Sequence, residues 1–300
     1  SKDTVSGVIY VDNRLQAGIF TPDDLDLLAA IASNAAIAID NARLYQVAVE
    51  KGRMERELQV ARGVQASLLP HETPQIPGWA FEARWQPART VSGDYYDFIP
   101  LDGGQLGLVI ADVSDKGMPA AVFMALTRST IRATVSQLPS PEDAIAEANR
   151  LICADSAEGM FVTLFYAMLD PSSGVVTYVN AGHNPPLLCR AGNHGDAELL
   201  EELRPTGMAL GIVDDFPFEQ RKLVLEPGDS ILLYTDGVTD ATGEAQQQFG
   251  MDRLRHVILD HHSAQVTDMV TALERSIGDW TGGATQFDDI AILAAKRAGG

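Results

Sequence analysis

The sequence predicts an α+β fold of layered sheets and helices, carried behind one very long helix, and three features predict it. No proline interrupts the chain between Pro22 and Pro70, so one helix of about 48 residues, roughly 70 Å at 1.5 Å per residue, can run there. Beyond Pro77 the strand-like runs come in bunches separated by pairs of helical patterns, which marks layered α+β architecture and not a regular strand-helix alternation. Four of those runs also meet an aspartate at one end. Asp94 precedes Tyr95-Tyr96-Asp97-Phe98, Asp112 follows Leu108-Val109-Ile110-Ala111, Asp236 follows Ile231-Leu232-Leu233-Tyr234-Thr235, and Asp288 precedes Ile290-Ala291-Ile292-Leu293.

Taken in order, Gly7-Val8-Ile9-Tyr10-Val11 is a short β-rich run, expected as the last strand of an upstream domain. Thr21-Pro22-Asp23-Asp24 then combines an N-cap, a proline at the first helical position and acids in the first turn. Pro70, Pro74 and Pro77 stop the helix. Its apolar pattern has two phases. Leu28, Ile31, Ala35, Ala38 and Ala42 form one stripe, and Leu44, Val47, Met54, Leu58, Ala61 and Leu68 form another with Lys51 and Gln65 at its seam. The first half is expected to pack on the preceding domain. The second, from about Leu44 to Leu69, is expected to pair with a second copy as a parallel coiled coil, or else to be a spacer lying on its own catalytic domain.

Strand-like runs follow at Phe81 to Gln86, Tyr95 to Pro100, Leu106 to Val113, Phe161 to Leu169, Val175 to Asn180, Leu187 to Arg190, Arg221 to Leu225 and Ser230 to Thr235. Helical patterns occupy Met118 to Ser136, Pro141 to Ala154, Met251 to Asp260 and Ala264 to Asp279.

Of the four bordering acids, Asp112 and Asp236 close a strand while Asp94 and Asp288 open one, so antiparallel neighbours would deliver all four to a single sheet edge. Oxygen ligands without an accompanying Cys or His cluster suit a hard ion such as Mg²⁺ or Mn²⁺. Singly, each has a bland reading: Asp236-Gly237 as a turn, Asp288-Asp289 as solvated charge. Their joint placement favours the metal site.

The same residues lie in ordered motifs: Val91-Ser92-Gly93-Asp94-Tyr95-Tyr96-Asp97, Ala111-Asp112-Val113-Ser114-Asp115-Lys116-Gly117-Met118-Pro119-Ala120, Asn180-Ala181-Gly182-His183-Asn184-Pro185-Pro186, Pro205-Thr206-Gly207-Met208-Ala209-Leu210-Gly211, Thr235-Asp236-Gly237-Val238-Thr239-Asp240-Ala241, and Asp288-Asp289-Ile290. From about Thr73 to Lys296 this resembles the SpoIIE/RsbU branch of the PPM (protein phosphatase 2C-like) metal-dependent Ser/Thr phosphatases. The resemblance implies an α-β-β-α layered sandwich, two Mn²⁺ or Mg²⁺ ions per site, and attack by a water the ions share, without a covalent phosphoenzyme. By resemblance Asp112 would bridge both ions and the Val113 carbonyl would bind one. Asp236 and Asp288 would hold the first ion, and Asp94 the second through ligated water. Asp289 remains a candidate ligand, although Asp288 matches the family position better.

Around these, Asp97 is expected as an outer or structural acid and His183 as a hydrogen-bonding turn residue. Arg89, five residues before Asp94, has the spacing of a phosphate-contacting arginine in distant relatives, or is a surface charge. Ser114 stands where many eukaryotic relatives have His, which removes a general acid there. Asp115 stands where this branch usually has Gly, and would either weaken phosphate binding or add a metal ligand. The substrate implied is a phosphoserine or phosphothreonine on a small STAS-type anti-sigma-factor antagonist. Gly7 to Tyr45 resembles the end of a GAF sensor domain, finishing in Asp40-Asn41-Ala42-Arg43-Leu44-Tyr45. The expected organisation is therefore 1–45 as a GAF-like fragment, 46–72 as a coiled-coil linker that passes on an upstream signal and forms a homodimer, and 73–297 as the phosphatase domain.

Composition narrows the alternatives. The 300-residue chain is 46% hydrophobic, enough for a buried core, and its 41 acidic against 22 basic residues give a net charge of −19. Such a surface repels nucleic acid and anionic membrane, which counts against a two-metal nuclease and predicts neither as partner. A non-catalytic scaffold would have lost at least one metal acid, and none is lost. Cys153 and Cys189 have no partner spacing and read as small apolar residues. No uninterrupted apolar run approaches the length of a membrane span and no signal peptide is evident, so the expected location is the cytoplasm.

Overall fold

The computed structural model describes residues 5, 7–156, 159–191, 199–284 and 286–299. They divide into two compact units, Ser1–Val60 and Ala61–Gly300.

In the first unit, the proline-free stretch is a single helix, α1 (Pro22–Leu68, 47 residues), whose last turns belong to the second unit. Its start is a reciprocal cap. The Thr21 backbone N–H and hydroxyl both donate to Oδ2 of Asp24, at 2.8 and 2.7 Å, and the Asp24 N–H returns a bond to the Thr21 hydroxyl at 3.3 Å. One expectation is corrected here. Gly7–Val11 enters no sheet, because a strand needs a neighbour for its N–H and C=O groups and no strand of this unit is described. Within α1, moreover, an 18-residue window has mean hydropathy 1.3, with none of it buried. By length and composition alone the helix could cross a bilayer, although Asp26, Ser33, Asn34 and Asp40 interrupt its apolar run.

Among the described residues of the second unit, ten strands form two five-stranded antiparallel sheets. The first has the order β1 (Trp79–Gln86), β10 (Ile290–Arg297), β9 (Ser230–Tyr234), β6 (Leu187–Cys189), β7 (Leu200–Glu202). The second has the order β2 (Tyr95–Pro100), β3 (Leu106–Val113), β4 (Val162–Leu169), β5 (Val175–Ala181), β8 (Arg221–Val224). Period-2 alternation assigns each strand's residues to one of two layers. In β3, Leu108 and Ile110 point between the sheets, where Phe165, Leu233 and Leu293 meet them. Val109, Ala111 and Val113 point outward onto α2 (Met118–Gln137) and α3 (Pro141–Asp155). On the other sheet Leu232, Tyr234, Ile290 and Ile292 face α4 (Gly250–Asp260) and α5 (Val266–Thr281). The result is the expected α-β-β-α sandwich.

Sequence and structure differ mainly at edges. β7 was not expected, since Leu200-Glu201-Glu202 is short and acid-rich, and it forms by pairing with β6. Both cysteines are free, Cys189 buried and Cys153 only partly so.

Candidate metal centre

The two antiparallel pairings carry the four bordering acids to a common end of the sandwich. Tyr95 pairs with Ala111, which sets Asp94 beside Asp112 where β2 begins and β3 ends. Tyr234 pairs with Ile292, and the Thr235 N–H donates to the Ala291 carbonyl at 3.1 Å, so β9 ends where β10 begins. Asp236 then enters a short 3-10 turn, Asp236–Val238. Gly237 is required there. A Cβ at that position would lie 1.9 Å from the Asp289 carbonyl oxygen, so any side chain would force the two sheet ends apart. Gly93 does the same on the other side, where a Cβ would meet the Val113 carbonyl oxygen at 3.0 Å.

Burial and mutual repulsion perturb these acids. Asp94 is 3% exposed, its Oδ2 has no hydrogen-bond partner among the described residues, and burial followed by the charge of Asp112 holds its carboxyl well above the usual range. Burial, then the charge of Asp236, pushes Asp112 up to about 7. Asp236 is raised by burial and by Asp288. Carboxylates in this state must bind protons or a cation.

Sequence reasoning missed Asp240. Its N–H donates to the Asp236 carbonyl at 2.8 Å, which puts it one turn from Asp236, and burial and Asp288 raise its carboxyl too. The signal was present in the i, i+4 spacing across Asp236-Gly237-Val238-Thr239-Asp240.

The remaining candidates separate by role. Asp289 accepts backbone N–H bonds from Ala88 at 2.7 Å and Gly93 at 2.9 Å, one on each oxygen. It clamps the Asp94 loop, and each oxygen keeps a lone pair free for a cation. Arg89 is exposed, and no bond from it to the acids is found among the described residues. Asp97 is fully buried and paired with Arg132 and Arg128, at 2.6 and 3.1 Å, which makes it structural. His183 is buried, its Nδ1 2.8 Å from the Thr163 hydroxyl, and burial lowers its pKa to about 4. Asp115 adopts φ 80°, a backbone region that favours glycine, and its carboxylate accepts the Lys116 N–H. Ser114 extends the β3–β4 pairing, donating its N–H to the Phe161 carbonyl and accepting the Phe161 N–H on its hydroxyl, both at 2.9 Å.

Gln65, read in sequence as a flaw in a dimer seam, proves to be part of the site's support. Its amide is 4% exposed and grips Ser92 twice, donating to the carbonyl at 2.6 Å and accepting the N–H at 2.9 Å.

The donor chemistry fits hard divalent ions. Asp112, Asp236, Asp288, the Val113 carbonyl and the orphaned Oδ2 of Asp94 are oxygen donors at one edge. Among the described residues no group of three or more acid, His or Cys side chains is already arranged as a cage, and Asp288 is paired with Lys116, 2.8 Å away. Beside the edge runs an open groove of about 860 Å³, lined by Asp240, Gln246, Gln248 and Phe287 among others.

Residues 102–298 match the family described as Stage II sporulation protein E (SpoIIE). Protein IcfG of Synechocystis sp. (strain ATCC 27184 / PCC 6803 / Kazusa) is 32% identical over 83% of this chain and 43% of its own length. Phosphoserine phosphatase RsbU of Bacillus subtilis (strain 168) is 30% identical over 75% of this chain and 65% of its own length. The chain thus spans less than two thirds of either relative. Among solved structures, the SiaA-PP2C domain of Pseudomonas aeruginosa superposes with a TM-score of 0.72 at 21% identity, covering 82% of this chain and 98% of that domain, and so shares the fold.

Proposed function

The chain belongs to the SpoIIE family, and on that premise we propose that it is a metal-dependent phosphatase releasing phosphate from a phosphoserine or phosphothreonine of a partner protein. The observation that carries the reading is the buried, unpartnered Oδ2 of Asp94 beside Asp112, whose carboxyl is raised to about 7. Acids placed so are stabilised as anions only by a cation.

Asp112, Asp236 and Asp288 would hold one divalent ion, and Asp112, Asp94 and the Val113 carbonyl a second. Bound there, Mn²⁺ or Mg²⁺ would polarise the phosphoryl oxygens and lower the pKa of the attacking water. The chain's own contribution is positional. Gln65, Asp289 and Trp85, whose indole N–H donates to the Asp94 carbonyl at 2.9 Å, fix the Asp94 loop from three elements. The open groove of about 860 Å³ lined by Asp240 and Phe287 supports a macromolecular substrate. The family branch points to a STAS-type regulatory protein as that substrate. The Gln65 grip on Ser92 supports regulation through α1, and the exposed apolar face of that helix supports a homodimer.

Hydrolysis of an aryl phosphate should require added Mn²⁺ or Mg²⁺. Asp112→Asn keeps the side chain's size while deleting a charge, so the variant should fold yet lose roughly two orders of magnitude or more in rate. Turnover by the folded, metal-supplied variant at the wild-type rate would falsify the site.

A further inference from the structure

Among the described residues, Lys116 is the cation paired with an acid of this edge. Its Nζ lies 2.8 Å from Oδ2 of Asp288 and 3.3 Å from the Phe287 carbonyl oxygen, with the centre of the Phe287 ring 4.4 Å away. Its positive charge also opposes the rise of the Asp236 and Asp240 carboxyls. Among the described residues no other salt bridge reaches Asp288. The loop aims the side chain inward. Ser114 pins its start to Phe161, and Asp115 and Gly117 turn the backbone through φ 80° and 86°. The side chain is nevertheless 34% exposed, and a flexible four-carbon stem can swing it clear.

An ammonium and a divalent ion cannot share Oδ2 of Asp288 comfortably, because the oxygen would bring two cations within about 4 Å of each other. We propose that Lys116 is the internal counter-ion of the metal centre, holding Asp288 in the metal-free protein and competing with the divalent ion for that carboxylate. This rests on the reading of the site as a metal centre. It makes metal loading an exchange of one cation for another.

The test uses Mn²⁺ alone, titrated into the purified, chelator-treated protein at fixed ionic strength and followed by calorimetry. Lys116→Met should bind Mn²⁺ roughly three- to tenfold more tightly than wild type, and its metal-free form should melt at a lower temperature while the Mn²⁺-loaded form melts as wild type does. Lys116→Gln serves as a second neutral variant, and Lys116→Arg should restore the wild-type affinity. Lys222→Met removes an exposed charge on β8 and should change nothing. Unchanged or weaker Mn²⁺ binding in both neutral variants, or an equal gain in Lys222→Met, would overturn the proposal while leaving the metal centre standing. Failure of the wild type to bind Mn²⁺ would overturn the metal centre, and this proposal with it.

Discussion

His183 and Asp112 are linked through Thr163, which pairs with Asp112 across the β3–β4 ladder and bonds the imidazole. Burial moves their pKa values in opposite senses, and the signs decide how the metal-free protein responds to acid. His183 falls to about 4 from an ordinary 6.5. Its neutral form is favoured by folding, so the stability it supports is present above pH 6.5 and is lost as the pH drops toward 4, a span of about 3 kcal/mol. Asp112 rises to about 7, so its contribution is present below about pH 4 and disappears as the pH climbs through 7. The two slopes offset each other in the wild type. In urea titrations without metal, His183→Gln should lose stability steadily from pH 4 to 7, whereas Asp112→Asn should gain it. Parallel profiles for the two variants would contradict the assignment. What sequence made visible at this scale was the four acids, because each borders an apolar run. The work of Asp289 and Lys116 was not visible, since their partners Gly93 and Asp288 lie 196 and 172 residues away along the chain.

Strands and helices were legible wherever their period was clear. β3 and β10 each bury nearly every residue along their length, and their apolar runs announce that. β7 is three residues long and exists only because β6 offers an edge. The end of α1 was misread for a physical reason: a glutamine at a seam position looks like a polar interruption unless the backbone it grips is known. Gln65 satisfies both the N–H and the C=O of Ser92, two residues before Asp94. Truncation would strand two buried backbone groups at a cost of about 1–3 kcal/mol each and free the Asp94 loop from one of its three anchors. Gln65→Ala should therefore lower the urea midpoint and weaken Mn²⁺ binding together. Wild-type stability and affinity in that variant would mean that α1 carries no influence to the metal centre.

The sandwich follows from pattern, but the first unit does not complete itself. Along α1, Leu44, Val47 and Met54 are 67%, 56% and 66% exposed, which is a costly arrangement for apolar side chains recurring at heptad spacing. Further along the same stripe the register changes its use. Gln65 and Leu69 are buried, and Leu69 joins the core cluster on which α2 and α3 pack. The expected seam from Leu44 to Leu69 is thus shortened to its N-terminal part, where Lys51 already weakens it. A homodimer held by so short a stripe should be marginal, with covering those side chains as its main driving force. Val47→Lys combined with Met54→Lys puts charges on the exposed stretch and leaves the last two turns intact. Analytical ultracentrifugation should show the double variant shifted to monomer, while its Mn²⁺-dependent hydrolysis of a small aryl phosphate stays at the wild-type rate, because Gln65 still holds Ser92. If the variant sediments as the wild type does, the exposed face is not the dimer contact. If instead it becomes monomeric and loses turnover on the small ester, pairing of the helices itself sets the geometry of the acid edge, and α1 acts on the site by more than the Gln65 anchor.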